Sequence, residues 1–144
     1  MCGIFGQLNF KNPSQPTNPV VLRKCVEALE HRGPDESGFW QKNEITLGMR
    51  RLSILDLSGG GQPMESEDGT LAIVYNGELY NFQDLRRELV SFGHVFHTEC
   101  DTEVVLKAYQ HWDSGCLTRF NGMFAFAVWN KKDSTLFLAR DFIG

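Results

Sequence analysis

The sequence has no Cys-x-x-Cys pair, no apolar run near the roughly 18 residues that a membrane-spanning helix needs, and no surplus of positive charge. Its cysteines stand at 2, 25, 100 and 116, and its histidines, His31, His94, His97 and His111, share no zinc-like spacing with them, so no metal is expected. Cys25 and Cys116 read as packing residues. The 14 Lys and Arg are scattered and the net charge is −4, which excludes a nucleic-acid surface and gives no reason to expect a membrane partner. The first residues lack the basic-then-apolar layout of a signal peptide, which points to the cytoplasm. Repeats, low-complexity tracts and a Gly-rich phosphate loop are also missing.

What remains is a chain of 144 residues, 42% hydrophobic and 22% charged, read as a single domain over 1–144. Gly3 to Leu8 reads as a strand. Asn18 is placed to cap a helix with Pro19 at its first position and Leu22, Val26 and Leu29 on one face, stopping near His31. A second helix follows Asn81, with Phe82, Leu85, Leu89 and Phe92 on one face and Gly93 as its stop. A third runs from about Thr102 to Trp112, placing Val105, Ala108, Tyr109 and Trp112 together.

Leu71 to Tyr75 and Met123 to Trp129 are nearly continuous apolar runs, so their strands are covered on both faces. Only Asn130-Lys131-Lys132-Asp133 separates the latter from the next strand, Thr135 to Ala139. So short a link permits a hairpin and excludes a parallel crossover. Antiparallel sheets covered on both sides imply two sheets packed together with helices outside, an α+β fold of four layers, α-β-β-α.

Met1-Cys2 carries the chemistry. Removal of Met1 leaves Cys2 with both a thiol and an α-amine, whose pKa of about 7.7–8.0 suits it to take the thiol proton and return it to a leaving amine. The alternative is a small buried hydrophobe at the start of a strand.

Five motifs decide between these. Cys2-Gly3-Ile4-Phe5-Gly6, His31-Arg32-Gly33-Pro34-Asp35, Arg51-Leu52-Ser53-Ile54, Asn76-Gly77-Glu78-Leu79-Tyr80-Asn81 and Asp101-Thr102-Glu103, in that order and spacing, resemble the class II glutamine amidotransferases. These are N-terminal-nucleophile glutaminases, and the wording is similar to the glutaminase domain of glutamine-hydrolysing asparagine synthetases. The resemblance covers essentially the whole chain and implies the N-terminal nucleophile hydrolase fold.

It also implies roles. Cys2 forms a thioester with the side-chain carbonyl of glutamine, and the Asn76 amide and Gly77 backbone N–H donate to the resulting oxyanion. Arg51 grips the α-carboxylate and Asp101 the α-ammonium, assisted by main-chain groups of Arg51, Leu52, Ser53, Ile54 and Leu55 and around Glu78. Taken bare, the same residues have plainer readings: Asn76-Gly77 as a tight turn, Asp101 as a helix N-cap, Arg51 as a strand-end charge. Arg50 and Arg51 alternate along a strand, so only one reaches the pocket. The His31–Asp35 segment is read as ordering the loop near the nucleophile, without a proton-transfer role. Ser58-Gly59-Gly60-Gly61-Gln62-Pro63, with its successive glycines, is read as a lid over bound glutamine.

Cys100 departs from the resemblance, since relatives usually carry serine or threonine before the aspartate. Such proteins also continue past Gly144 into another strand and an ATP-dependent synthetase domain, the expected partner and acceptor of ammonia. ATP and Mg are expected only there and no cofactor in this domain, whose last sheet is expected to end in an unpaired edge. The expected activity is hydrolysis of glutamine to glutamate and ammonia. The alternative is a silent glutamine-binding or scaffolding domain, should Met1 be retained.

Overall fold

The computed structural model describes residues 2–12, 15–52 and 61–144. One antiparallel sheet contains β1 (Gly3–Leu8), β2 (Glu36–Lys42) and β3 (Ile45–Arg51) in the order β1-β3-β2. A second antiparallel sheet contains β4 (Met64–Glu65), β5 (Leu71–Leu79), β6 (Gly122–Asn130) and β7 (Thr135–Arg140), each beside the next. The helices are α1 (Pro19–Ala28), α2 (Phe82–Ser91) and α3 (Asp101–Trp112), the last running into a 3₁₀ segment, Asp113–Arg119. None of them is long and apolar enough to cross a membrane.

Local chemistry sets the helix ends. Asn18 Oδ1 accepts from Val20 N at 2.8 Å with Pro19 behind it, which starts α1 as its sequence implies. Gly93 stops α2 at φ 93°, a left-handed backbone that glycine adopts without a Cβ penalty, while His94 N reaches back to Leu89 O at 3.1 Å. The buried Glu103 carboxylate accepts from His97 N, Thr98 N and Thr98 Oγ1, so the chain entering α3 is pinned from within the helix's own first turn.

Alternation along the strands builds the layers. Ile45, Leu47 and Met49 of β3 meet Ala72 and Val74 of β5 and Ala127 and Trp129 of β6 between the two sheets. The opposite faces of β5 and β6 present Ile73, Tyr75, Phe126 and Val128 to Leu85 and Leu89 of α2 and Val104, Val105 and Ala108 of α3. Leu22 of α1 is buried on the outer side of the first sheet, completing the expected α-β-β-α sandwich. Each large side chain sealed in these layers contributes about 1.5–3 kcal/mol of burial.

Three readings need correction. The run Leu71–Tyr75 does not end there: β5 continues through Leu79, pairing Asn76 with Ala125 and Gly77 with Phe124, so Asn76-Gly77 is strand and not a turn. The N-cap of α3 is Cys100, and Asp101 is the first helical residue. Phe92 is the C-cap of α2 and 55% exposed, with its ring stacked on His111 instead of buried in the core.

Candidate active site

The β1–β3 ladder places Gly3 opposite Arg50 and so delivers Cys2 to the end of β3. The half-buried Cys2 thiol donates to Leu52 O at 3.7 Å and accepts from Leu52 N at 3.4 Å, at the margin of the core between the sheets. Arg51 is 6% exposed, and its Nη1 donates to Glu36 Oε2 at 3.0 Å, from the β2 residue directly opposite in register. Arg50 bonds Glu30 beyond α1 at 3.4 Å, so the two arginines do leave the strand on opposite faces. The His31–Asp35 segment lies on this strand end. A Cβ on Gly33 would come within 2.4 Å of Arg50 C and 2.5 Å of Arg51 N, and Asp35 N donates to Arg51 O at 3.1 Å.

The other wall is β5. Its odd-numbered residues face the helices and its even-numbered ones face the first sheet, so Asn76 and Glu78 lie on the side of β1 and β3. Asn76 Oδ1 is buried without a hydrogen-bond partner among the described residues. Along the edge of β5 away from β6, Tyr75 N donates to Gln62 Oε1 at 2.6 Å and Leu79 N to Asp101 Oδ2 at 3.0 Å. Period-two geometry directs the Gly77 N–H to that same edge, between two donors already engaged, and no described residue accepts it.

Glycine at 77 is enforced by packing. A Cβ there would stand 2.5 Å from Met123 O and 2.7 Å from Phe124 Cβ.

Asp101 is 7% exposed and has no Lys, Arg or His partner among the described residues. Its Oδ2 accepts from Tyr75 Oη and Leu79 N, both at 3.0 Å. Burial raises the carboxyl pKa above 3.8, against the opposing pull of the Leu79 and Tyr75 hydrogen bonds. Glu78 is raised too, first by burial and then by the Asp101 charge. The Tyr75 phenol is pushed up by burial, then by Asp101, and further by Glu78 and Cys2. The buried Asp101 carboxyl, without a cationic partner among the described residues and beside the partly exposed Glu78, is a site for an arriving positive charge.

The model of the glutamine amidotransferase domain matches residues 1–144. The chain belongs to the glutamine amidotransferase domain family. Asparagine synthetase [glutamine-hydrolyzing] 1 of Bacillus subtilis is 42% identical over 100% of this domain, and asparagine synthetase [glutamine-hydrolyzing] 3 of the same organism is 44% identical over the same share. The probable asparagine synthetase of Dictyostelium discoideum is 39% identical. The amidotransferase domain spans 23%, 24% and 26% of the length of these three relatives. In structure it is similar to glutamine phosphoribosylpyrophosphate amidotransferase from B. subtilis, solved with ADP and GMP, at a TM-score of 0.70 and 21% identity, covering 97% of this chain and 36% of the other. That likeness shows the shared fold.

Within the amidotransferase domain, Cys2, Arg51 and Leu52 lie together at the end of β1 and β3, Asn76, Gly77, Glu78 and Asp101 lie where β5 meets the start of α3, and β1 and β3 pack against β5. Ser53, Ile54 and Leu55 lie outside the described residues, as do Met1 and the Ser58–Gly60 part of the glycine-rich stretch. Cys100 is buried against Thr98 Oγ1 at 3.0 Å and makes no capping bond, so the orientation of Asp101 comes from β5 and not from its neighbour. Cys116 is fully buried and its thiol is pushed up to about 12, consistent with a packing role.

Sequence reasoning missed Glu36 and Tyr75, and it read Gln62 only as part of a lid, whereas Gln62 bonds Tyr75 N and Thr102 Oγ1. Tyr75 had a usable signal, because a tyrosine inside an apolar run needs a partner for its hydroxyl.

Proposed function

We propose that this domain hydrolyses glutamine to glutamate and ammonia with Cys2 as the nucleophile. Once Met1 is removed, the α-amine of Cys2, directly or through one water, takes the proton from Sγ, and the thiolate attacks the side-chain amide carbon. The tetrahedral oxyanion accepts from the Asn76 amide and the Gly77 N–H. The protonated amine returns its proton to the departing nitrogen, ammonia leaves, and a thioester remains. Water then gives a proton to the amine as it attacks the thioester, a second oxyanion forms in the same place, and its collapse releases glutamate and the thiol. Arg51 binds the α-carboxylate and Asp101 the α-ammonium, with main-chain groups of residues 51–55 and around Glu78 completing the pocket.

The observation that carries this reading is the state of Asn76-Gly77. The Asn76 amide makes no hydrogen bond to a described residue, and the adjacent N–H points from an edge whose neighbouring donors are both engaged. Buried polar groups are normally paired, so an Asn76 side chain and a Gly77 N–H that no described residue engages leave the Asn76 Nδ2 and the Gly77 N–H as donors for a transient oxyanion. The charges of the zwitterion are matched in kind: Arg51 carries a positive charge, and the buried Asp101 carboxylate has no cationic partner among the described residues.

The ammonia is destined for amide synthesis, from aspartate to asparagine, on a synthetase domain that uses ATP and Mg²⁺ in the cytoplasm. Hydrolysis itself uses only groups of this chain and water.

Intact mass and ammonia release test the proposal together. Protein lacking one methionine is expected to deamidate glutamine, and a glutamine-analogue electrophile is expected to label Cys2 alone. A correctly trimmed sample that releases no ammonia overturns the proposal and leaves a binding domain.

A further inference from the structure

We propose that Tyr75 is a positioning residue for glutamine, acting through Asp101 to present its carboxylate to the substrate α-ammonium. The inference rests on the glutamine-site reading above and adds a residue that none of the five motifs assigns.

Two hydrogen bonds from β5 fall on one oxygen of the Asp101 side chain, and the backbone N–H groups of Asp101 and Thr102 also favour its ionised form. Tyr75 Oη and Leu79 N each stand 3.0 Å from Oδ2, and no described side chain donates to Oδ1. A carboxylate held by two donors on one oxygen cannot rotate about its Cβ–Cγ bond without breaking both. The other oxygen is thereby fixed in direction, and with two lone pairs it keeps acceptor capacity for an incoming N–H beside the backbone N–H groups of its own helix turn.

Tyr75 is itself fixed. It is 2% exposed, its side chain packs in the core between β5 and the helices, and its backbone N–H is taken by Gln62 Oε1 at 2.6 Å. Gln62 Nε2 in turn donates to Thr102 Oγ1 at 3.1 Å, one residue beyond Asp101. Strand and helix are thus joined twice across the same gap, once through Tyr75–Asp101 and once through Gln62–Thr102.

The phenol also bears on charge. Asp101 has no cationic neighbour among the described residues, and burial opposes its ionisation. A hydroxyl donating to the ionised form offsets part of that cost, and the phenol cannot compete by losing its own proton because the same burial and the same carboxylate hold that proton on. Toward the ionised Asp101 carboxylate Tyr75 is therefore a donor, which suits an oxygen that must remain negative until an ammonium arrives.

The test separates this from failure of the hydrolysis reading by measuring binding without turnover. In the Cys2→Ala protein, titration with glutamine is compared with titration with 4-carbamoylbutanoate, which keeps the amide and the carboxylate and lacks the α-ammonium. Adding Tyr75→Phe is expected to weaken glutamine binding about tenfold, the effect of one hydrogen bond to a charged group, and to leave 4-carbamoylbutanoate unchanged. An equal loss for both ligands, or no loss for glutamine, overturns the inference. In an Asp101→Asn background the further effect of Tyr75→Phe is expected to vanish, and a full tenfold loss persisting there overturns it as well. Absence of any glutamine binding by the Cys2→Ala protein instead overturns the site reading on which the inference rests.

Discussion

Sγ of Cys2 lies 3.4 Å from the backbone nitrogen of Leu52 and 3.7 Å from its carbonyl oxygen, so one residue both donates to the thiol and accepts from it. Leu52 follows Arg51 directly, and the proposed nucleophile is thereby tied to the residue proposed to hold the far end of the substrate.

Cys2→Ala is expected to abolish ammonia release, a loss on the order of 10⁴-fold or more. Because Cys2 is only half-buried and at the end of its sheet, the fold should survive with a stability change within about 1 kcal/mol. Ammonia release and thermal unfolding, measured side by side, check both halves. Activity that survives the change would move the nucleophile elsewhere, and Cys116, sealed in the core with its thiol pushed up, is no candidate.

Asn76→Ala should separate activity from stability. Removing one oxyanion donor costs about 10²–10³ in kcat. Yet Asn76 Oδ1 has no partner among the described residues, and deleting an unsatisfied buried acceptor carries no hydrogen-bond penalty, so the melting temperature should not fall. A clear drop in melting temperature with kcat preserved would make Asn76 a structural residue.

Gly77→Ala is expected to damage both. The added Cβ would sit 2.5 Å from Met123 O and 2.8 Å from Phe124 Cα, backbone atoms of β6 that move only with the strand. Overpacking of this kind costs about 1–3 kcal/mol, and the strand shift carries the Gly77 N–H with it, so kcat falls alongside the melting temperature. Unfolding by urea and steady-state hydrolysis give the two numbers. Unchanged stability would mean that β5 and β6 are less tightly apposed than described.

These contrasts also explain what was legible in the sequence. β1, the helices and the β6–β7 hairpin announce themselves through caps, periodicity and turn length. β3 does not, although it lies at the centre of its sheet. Its Thr46 is fully buried with a hydrogen bond to Thr17 Oγ1 at 2.8 Å, and the Phe5 ring covers Gly48 where a side chain would be, so polar and missing side chains mask a core strand. Asn76 to Leu79 reads locally as a turn and is strand because nine consecutive pairs with β6 hold it. The motif residues could be named from order and spacing, but their supports could not. Gln62 meets Tyr75 and Thr102 from 13 and 40 positions away, and no local pattern reports such contacts.

The pH dependence of Asp101 should set stability and affinity against each other. Its folded pKa is raised above 3.8, mainly by burial. A carboxyl of this kind binds more protons folded than unfolded between the two values, so its contribution to stability is complete below pH 3.8 and is lost as the pH rises through the folded value. Glu78, raised above 4.5 by burial and by Asp101, acts in the same direction. Asp101→Asn does not ionise and relieves Glu78 of that neighbouring charge. The stability of the variant relative to wild type should therefore climb as the pH rises through this window and level off above it, as followed by urea unfolding across a pH series. Glutamine affinity of the wild type should climb through the same window, because the ammonium needs the ionised carboxylate. A relative stability that is flat or falls with pH would show that Asp101 is held ionised by groups other than Tyr75 and Leu79, and would remove the charge-based account of how the substrate ammonium is bound.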